Sequence, residues 1–132
     1  MFDYHGWVTL RDHATADDGV TLADATLKAV QGLLRSADLN NDFQTADVRA
    51  ANGFWHVWLA GCRNHRNEPV LAAWRTLAQL APGSYGVLYV QDDEDPEHDN
   101  HWLQHIMARG GLKVRRDKYL SPVVPVLQDP EP

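Results

Sequence analysis

The chain has 132 residues, 44% of them hydrophobic, and twelve lysines and arginines against eighteen aspartates and glutamates leave a formal charge of −6. A chain of this length forms one domain and buries roughly two-thirds of the surface that its unfolded form exposes, so 1–132 is read as a single domain that needs no disulfide or metal to fold. The acidic balance repels phosphate backbones and anionic lipid, which argues against nucleic-acid and membrane binding; it would attract a basic partner, while the ordinary reading is that such a charge keeps the protein soluble.

The single cysteine, Cys62, cannot build a disulfide framework and points to a reducing compartment. Met1 to His5 carry none of the marks of a signal peptide, and no apolar run is long enough to span a bilayer. The expected location is the cytoplasm.

Tyr4, Val8 and Leu10 alternate with His5, Trp7 and Thr9, the period-two pattern of a half-buried strand beginning at Phe2. Asp17-Asp18-Gly19 breaks it. Thr21, followed three residues later by Asp24, resembles a capping box, and Ala23, Leu27, Val30 and Leu34 form one stripe of a first helix. That helix should fray over 36–42, where Asn40-Asn41-Asp42 makes a polar turn. A weak strand over Phe43 to Val48 and a stronger one over Phe54 to Ala60 flank Asn52-Gly53, a pair that signals a hairpin. Phe54 and Trp58 lie on one face of the stronger strand, and Trp55, Val57 and Leu59 on the other. That strand is therefore either covered on both sides or offers one face for binding.

Asn67 can cap a second helix, Pro69 fits its first turn, and Val70, Ala73, Trp74, Leu77 and Ala81 recur at helical spacing before Pro82-Gly83 stops it. Tyr85 to Val90, Trp102 to Ala108 and Leu112 to Arg116 are the remaining strands, the last two joined at Gly110-Gly111. Pro122, Pro125, Pro130 and Pro132 keep the tail, 121–132, out of a central ladder position and predict an extended or edge segment. The order predicts an α+β, two-layer, ferredoxin-like β-α-β-β-α-β core with an additional C-terminal β-hairpin. Its antiparallel sheet carries two helices on one face and leaves the other open.

Six carboxylates fall within the eight residues from Asp92 to Asp99. Read plainly, 91–100 is a solvated acidic loop. Read functionally, Asp92, Asp93, Glu94, Asp95 and Glu97 form a docking surface that speeds encounter with a basic protein. A calcium loop is a third reading, but the EF-hand spacing, its glycine and its terminal glutamate are missing. Trp7, Trp55 and Trp58 stand on strands beside Tyr4, Phe54, Tyr85 and Tyr89, more aromatic area than a thin two-layer domain ordinarily hides. They are the candidate anchors of a protein interface, with core packing as the ordinary alternative for each.

His101 and His105 would share a face on a helix, but on a strand they stand ~13 Å apart at about 3.3 Å per residue, too far for one ion. Cys62 and His65 have no placed acid or oxyanion loop beside them. Gly83-Ser84-Tyr85-Gly86 follows a helix and enters a strand, the reverse of a phosphate loop. Gly83 is read instead as the left-handed end of the second helix, and Gly86 as a close approach or a bulge. No catalytic residue, metal site or cofactor is expected.

Met1-Phe2-Asp3-Tyr4-His5-Gly6-Trp7-Val8, Asn64-His65-Arg66, the run Ala81 to Tyr89 with Asp92-Asp93-Glu94-Asp95 after it, and Leu120-Ser121-Pro122 with Pro125-Val126 together resemble the immunity protein 7 family, in consistent order along nearly the whole chain. The resemblance implies an immunity protein of bacterial polymorphic toxin systems, encoded beside a secreted toxin and protecting the producing cell by binding the toxin domain. It implies no catalysis and no cofactor, and a monomer is the favoured state. Two other readings stay open: a small-ligand module or small enzyme using the open sheet face with His56, His101 and His105 as polar groups, and a domain that self-associates through its terminal strands.

Overall fold

The computed structural model describes residues 1–15 and 21–132, so the expected break at Asp17-Asp18-Gly19 lies outside the described residues. The elements run β1 (Phe2–Thr9), α1 (Asp24–Ser36), β2 (Gln44–Ala51), β3 (Phe54–Arg63), α2 (Glu68–Leu80), β4 (Tyr85–Asp92), β5 (Trp102–Ala108), β6 (Gly111–Arg116) and a short helical turn, α3 (Val123–Val126). One six-stranded sheet has the order β2-β3-β1-β4-β5-β6, with every neighbouring pair antiparallel. The first four strands in that order form the predicted ferredoxin-like core, and the β5-β6 hairpin extends it past β4.

One parity of each strand faces the two long helices. Phe2, Tyr4 and Val8 of β1, Val57 and Leu59 of β3, Leu88 and Val90 of β4 and Met107 of β5 form a single cluster with Val30 and Leu34 of α1 and with Val70, Trp74 and Leu77 of α2. Fully burying a side chain of this size stabilises by about 1.5–3 kcal/mol. The second helix buries Val70, Leu71, Ala73, Trp74, Leu77 and Ala78 where the first buries only Val30 and Leu34, so α2 is the main anchor of the layer.

The helix starts depart from the local signals. The capping box at Thr21 and Asp24 does not form, because α1 begins after Ala23 with no side-chain cap of its own. A distant carboxylate takes that place: Asp12 accepts hydrogen bonds from the Ala23 amide (2.7 Å) and the Thr26 hydroxyl (2.6 Å). Asn67 does precede α2, but its side-chain amide donates to the Gln44 side chain rather than capping the helix.

Turn chemistry explains the hairpins. Asn52 (φ 52°) and Gly53 (φ 81°) are both left-handed, the type I′ geometry that the Asn-Gly pair signals. The β5-β6 turn is centred one residue earlier than expected, on Arg109 (φ 53°) and Gly110 (φ 76°), because Ala108 pairs with Gly111. Gly83 does not take the left-handed conformation expected of it. It is required by packing, since an added Cβ would stand 2.2 Å from the His13 backbone. Gly86 is a close approach as expected, with a Cβ position 2.1 Å from the Trp7 carbonyl oxygen.

Both β2 and β3 outrun their expected bounds, since β3 continues pairing with β1 as far as Phe2↔Arg63. Beyond β6 the tail is no ladder strand. It bonds to the segment before β5, where Asn100 takes the Val124 amide on its side-chain oxygen and gives its amide to the Val124 carbonyl. No helix among the described residues is long and apolar enough to cross a membrane.

Candidate interaction surface

The two long helices pack on one face of the sheet, and the other face carries the exposed Trp7, Trp58 and Tyr85. In an antiparallel sheet, residues directly opposite one another share a face, so the pairing register lays side chains out in rows. One row runs across all six strands, Asp47, Trp58, Trp7, Val87, Ile106 and Lys113. Its centre is apolar, and a charge of opposite sign stands at each end. A neighbouring row places Thr45, Ala60, His5, Tyr89, Gln104 and Arg115 side by side. The small Ala60 leaves a shallow depression walled by Trp7, Trp58, His5, Thr45 and Tyr89.

Trp7 is 40% and Trp58 39% exposed, and Tyr85 is 43% exposed. The Trp7 and Tyr85 rings meet edge to face at 6.1 Å, while His56 lies 5.2 Å from Trp58 and is held by a 3.1 Å hydrogen bond between its Nδ1 and the Thr9 hydroxyl. Rings fixed in this way lose little side-chain freedom when a partner covers them, which favours their use as anchors. Trp102, which sequence reasoning missed, belongs to the same face. It pairs with Gln91, whose other neighbour is Asp3, and its ring lies 6.1 Å from that of His5.

Trp55 is not part of this surface. It stands on the helix side of β3, partly buried against the core, and so does not share a face with Trp7 and Trp58. Trp7 and Trp58 are brought together as direct neighbours.

The acidic segment is folded rather than uniformly solvated. Asp92 is the last residue of β4 and buried, with Arg66 donating to it at 3.3 Å and the Glu94 amide at 3.1 Å. Its carboxylate is thus withdrawn from solvent, unlike the exposed Asp93, Glu94 and Glu97. Asp95 accepts from the amides of Glu97 (2.9 Å) and His98 (3.3 Å), closing the loop on itself. Asp93 pairs with the Met1 amino group, raising that amine's pKa mainly through the hydrogen bond, and Glu94 pairs with His65 Nδ1 at 2.7 Å. Glu97 is more exposed than Asp93 or Glu94. Arg66 also grips Glu68, whose carboxyl it holds below the ordinary range through their hydrogen bond.

Because Phe2 pairs with Asp92 and Trp7 lies five residues further along β1, the loop and the tryptophan pair are about 17 Å apart at ~3.3 Å per residue. Both can contact one protein partner, but they do not form one patch.

The histidines do not converge. His56 is on the open face, whereas His105 pairs with Leu88 and Val114 on the helix side, where burial and then the charges of Arg66 and Arg75 push its pKa down. His101 precedes β5, its Nδ1 buried without a hydrogen-bond partner among the described residues. His65 next to Cys62 is turned to Glu94. Among the described residues no group of three or more His, Cys, Asp or Glu could hold a metal ion.

Among solved structures the chain is similar to a phage SAM lyase in complex with S-methyl-5'-thioadenosine, at 10% identity over 90% of this chain and 92% of that chain, with a TM-score of 0.37. That likeness is too slight to inform function. No curated protein matches the chain. Residues 1–129 match the family described as Immunity protein 7, and on that match over essentially its whole length the chain belongs to that family.

Proposed function

We propose that this chain binds and neutralises the toxin of a polymorphic toxin system, in the cytoplasm of the cell that produces both, by seating its open sheet face on a basic toxin domain. Membership of an immunity family supports the class of activity. The observation that carries the choice of surface is the row of Trp58, Trp7, Val87 and Ile106, apolar, neighbouring and on the face away from the two long helices. Interface energy concentrates in such rigid aromatic anchors ringed by polar groups.

In this reading Trp7 and Trp58 fill pockets on the toxin, and Trp55 supports them from behind. Asp93, Glu94, Asp95 and Glu97 steer the encounter from the strand ends, while Asp92 holds the loop in shape. No cofactor takes part. Inhibition by occlusion needs no reactive group in the inhibitor.

Binding kinetics with the purified toxin domain separate the two roles. Trp7→Ala and Trp58→Ala should each weaken the complex by about 2 kcal/mol or more, roughly thirtyfold, mostly through faster dissociation. Reversing the charges of Asp93, Glu94 and Glu97 should slow association and flatten its dependence on salt. Wild-type affinity in both tryptophan variants would remove the open face from the interface.

A further inference from the structure

The charge of this acidic protein is unevenly placed. Five of its twelve lysines and arginines (Arg109, Lys113, Arg115, Arg116 and Lys118) fall within 109–118. The one carboxylate in that stretch, Asp117, is buried and bonded to Gln104 and to the amides of Tyr119 and Leu120. Three of these cations, Lys113, Arg115 and Arg116, stand on β6, and none of them pairs with a carboxylate among the described residues.

That strand is also a sheet edge. It ends the strand order, and all six of its residues are exposed. Its free backbone groups can be assigned. The Asp117 amide donates to the Trp102 carbonyl at 2.9 Å, and in an antiparallel ladder hydrogen-bonded pairs alternate with non-bonded ones. Counting back along the register, Arg115 and Lys113 bond inward to Gln104 and Ile106. The amides and carbonyls of Leu112, Val114 and Arg116 point outward, with no strand beyond them among the described residues.

The two faces of this edge differ. Lys113 and Arg115 lie on the open side of the sheet, while Leu112 and Val114, 44% and 55% exposed, lie on the helix side. We propose that the outer edge of β6 binds an extended polypeptide segment by strand addition, one that alternates acidic residues, set against Lys113 and Arg115, with apolar residues set against Leu112 and Val114. Main-chain hydrogen bonds supply affinity in this mode, and alternate side chains supply selection. Charge complementarity chooses the occupant. A second copy pairing about Val114 would set Lys113 opposite the other copy's Arg115, and like charges directly opposite are destabilising. Charges do blunt sheet edges against aggregation, but blunting alone does not call for an exposed apolar pair on the opposite side. Nucleic acid would meet the same cations without using the backbone row. The acidic segment is a partner distinct from the basic toxin domain proposed above.

The test titrates the ¹⁵N-labelled full chain with a synthetic decapeptide alternating valine with glutamate, with its valine-lysine counterpart, and with a single-stranded oligonucleotide. The glutamate peptide should shift the amide signals of Leu112, Val114 and Arg116 and slow their exchange with solvent. Val114→Pro removes one outward amide at an edge position that tolerates proline, and it should weaken binding by about tenfold or more. If that variant does not fold, Lys113→Glu with Arg115→Glu serves instead, and should shift preference to the lysine peptide. Unmoved β6 amides, equal binding of the lysine peptide, tighter binding of the oligonucleotide at the same residues, or self-association through β6 would each overturn the proposal.

Discussion

Removing the carboxylate of Asp12 should unfasten α1 although Asp12 lies outside the helix. The Asp12→Ala variant leaves the Ala23 amide and the Thr26 hydroxyl without the acceptor they now have at 2.7 and 2.6 Å. Loss of an N-terminal cap costs about 0.5–2 kcal/mol, and a half-buried hydroxyl that loses its partner costs about 0.5–1.5 kcal/mol more. About 2 kcal/mol is therefore the expected loss. For 132 residues an unfolding entropy of about 2.1 cal/mol/K per residue gives roughly 0.28 kcal/mol/K, so Tm should fall by about 7 °C. Thermal unfolding followed by circular dichroism measures this, and hydrogen exchange should show the loss concentrated in the first turn of α1. Thr21→Ala is the control, because Thr21 is exposed and makes no cap, and it should stay within about 0.5 kcal/mol of wild type. A Tm unchanged in Asp12→Ala, or an equal loss in Thr21→Ala, would refute the remote cap.

Two other changes have opposite expected signs. Tyr4 is fully buried and its hydroxyl has no hydrogen-bond partner among the described residues, and burial pushes its pKa up to about 12. In the unfolded chain the phenol ionises near pH ~10, so stability is complete below that pH and falls as pH rises towards about 12. Tyr4→Phe should abolish this alkaline loss and leave neutral stability equal or higher by up to about 1 kcal/mol, since an unsatisfied buried hydroxyl is itself costly. Denaturant titrations at neutral and alkaline pH test both points, and a neutral loss beyond about 1 kcal/mol would count against an unpartnered hydroxyl. Arg109, left-handed at φ 53° in the first central position of a type I′ turn, should be improved upon by asparagine. Arg109→Asn should gain about 0.5–1 kcal/mol, or roughly 2–4 °C in Tm, and no gain would mean that the turn tolerates arginine without strain.

Much of the sheet was legible because period-two alternation survives in the residues themselves. The placing of Phe54 and Trp58 against Trp55, Val57 and Leu59 on β3 follows from parity alone, and the structure keeps that division. What parity cannot tell is which face the helices cover. Aromatic residues stand on both sides of β3, so Trp55 resembles Trp58 until the packing of α1 and α2 is known. The acidic run was similarly opaque. Six carboxylates in eight residues look equivalent in the sequence, yet pairing with Phe2 makes Asp92 the end of a strand, beside Arg66 and out of solvent. Trp102 escaped notice because its face is set by β4, not by its own neighbours in sequence. The capping box at Thr21 failed for a related reason: a local signal lost to an acceptor, Asp12, eleven residues before Ala23 in the chain.

Stoichiometric occlusion by a preformed surface, as proposed above, can be followed by titrating the purified chain into a fixed, known concentration of the cognate toxin domain and recording the toxin's activity. Tight one-to-one binding predicts a linear fall to zero at one equivalent of the wild-type chain, and a shallow curve that needs excess protein for the Trp7→Ala, Trp58→Ala double variant. Full protection at a small fraction of an equivalent would mean that the chain turns over, and an undiminished endpoint in the double variant would place the contact elsewhere; either result contradicts occlusion by the open face.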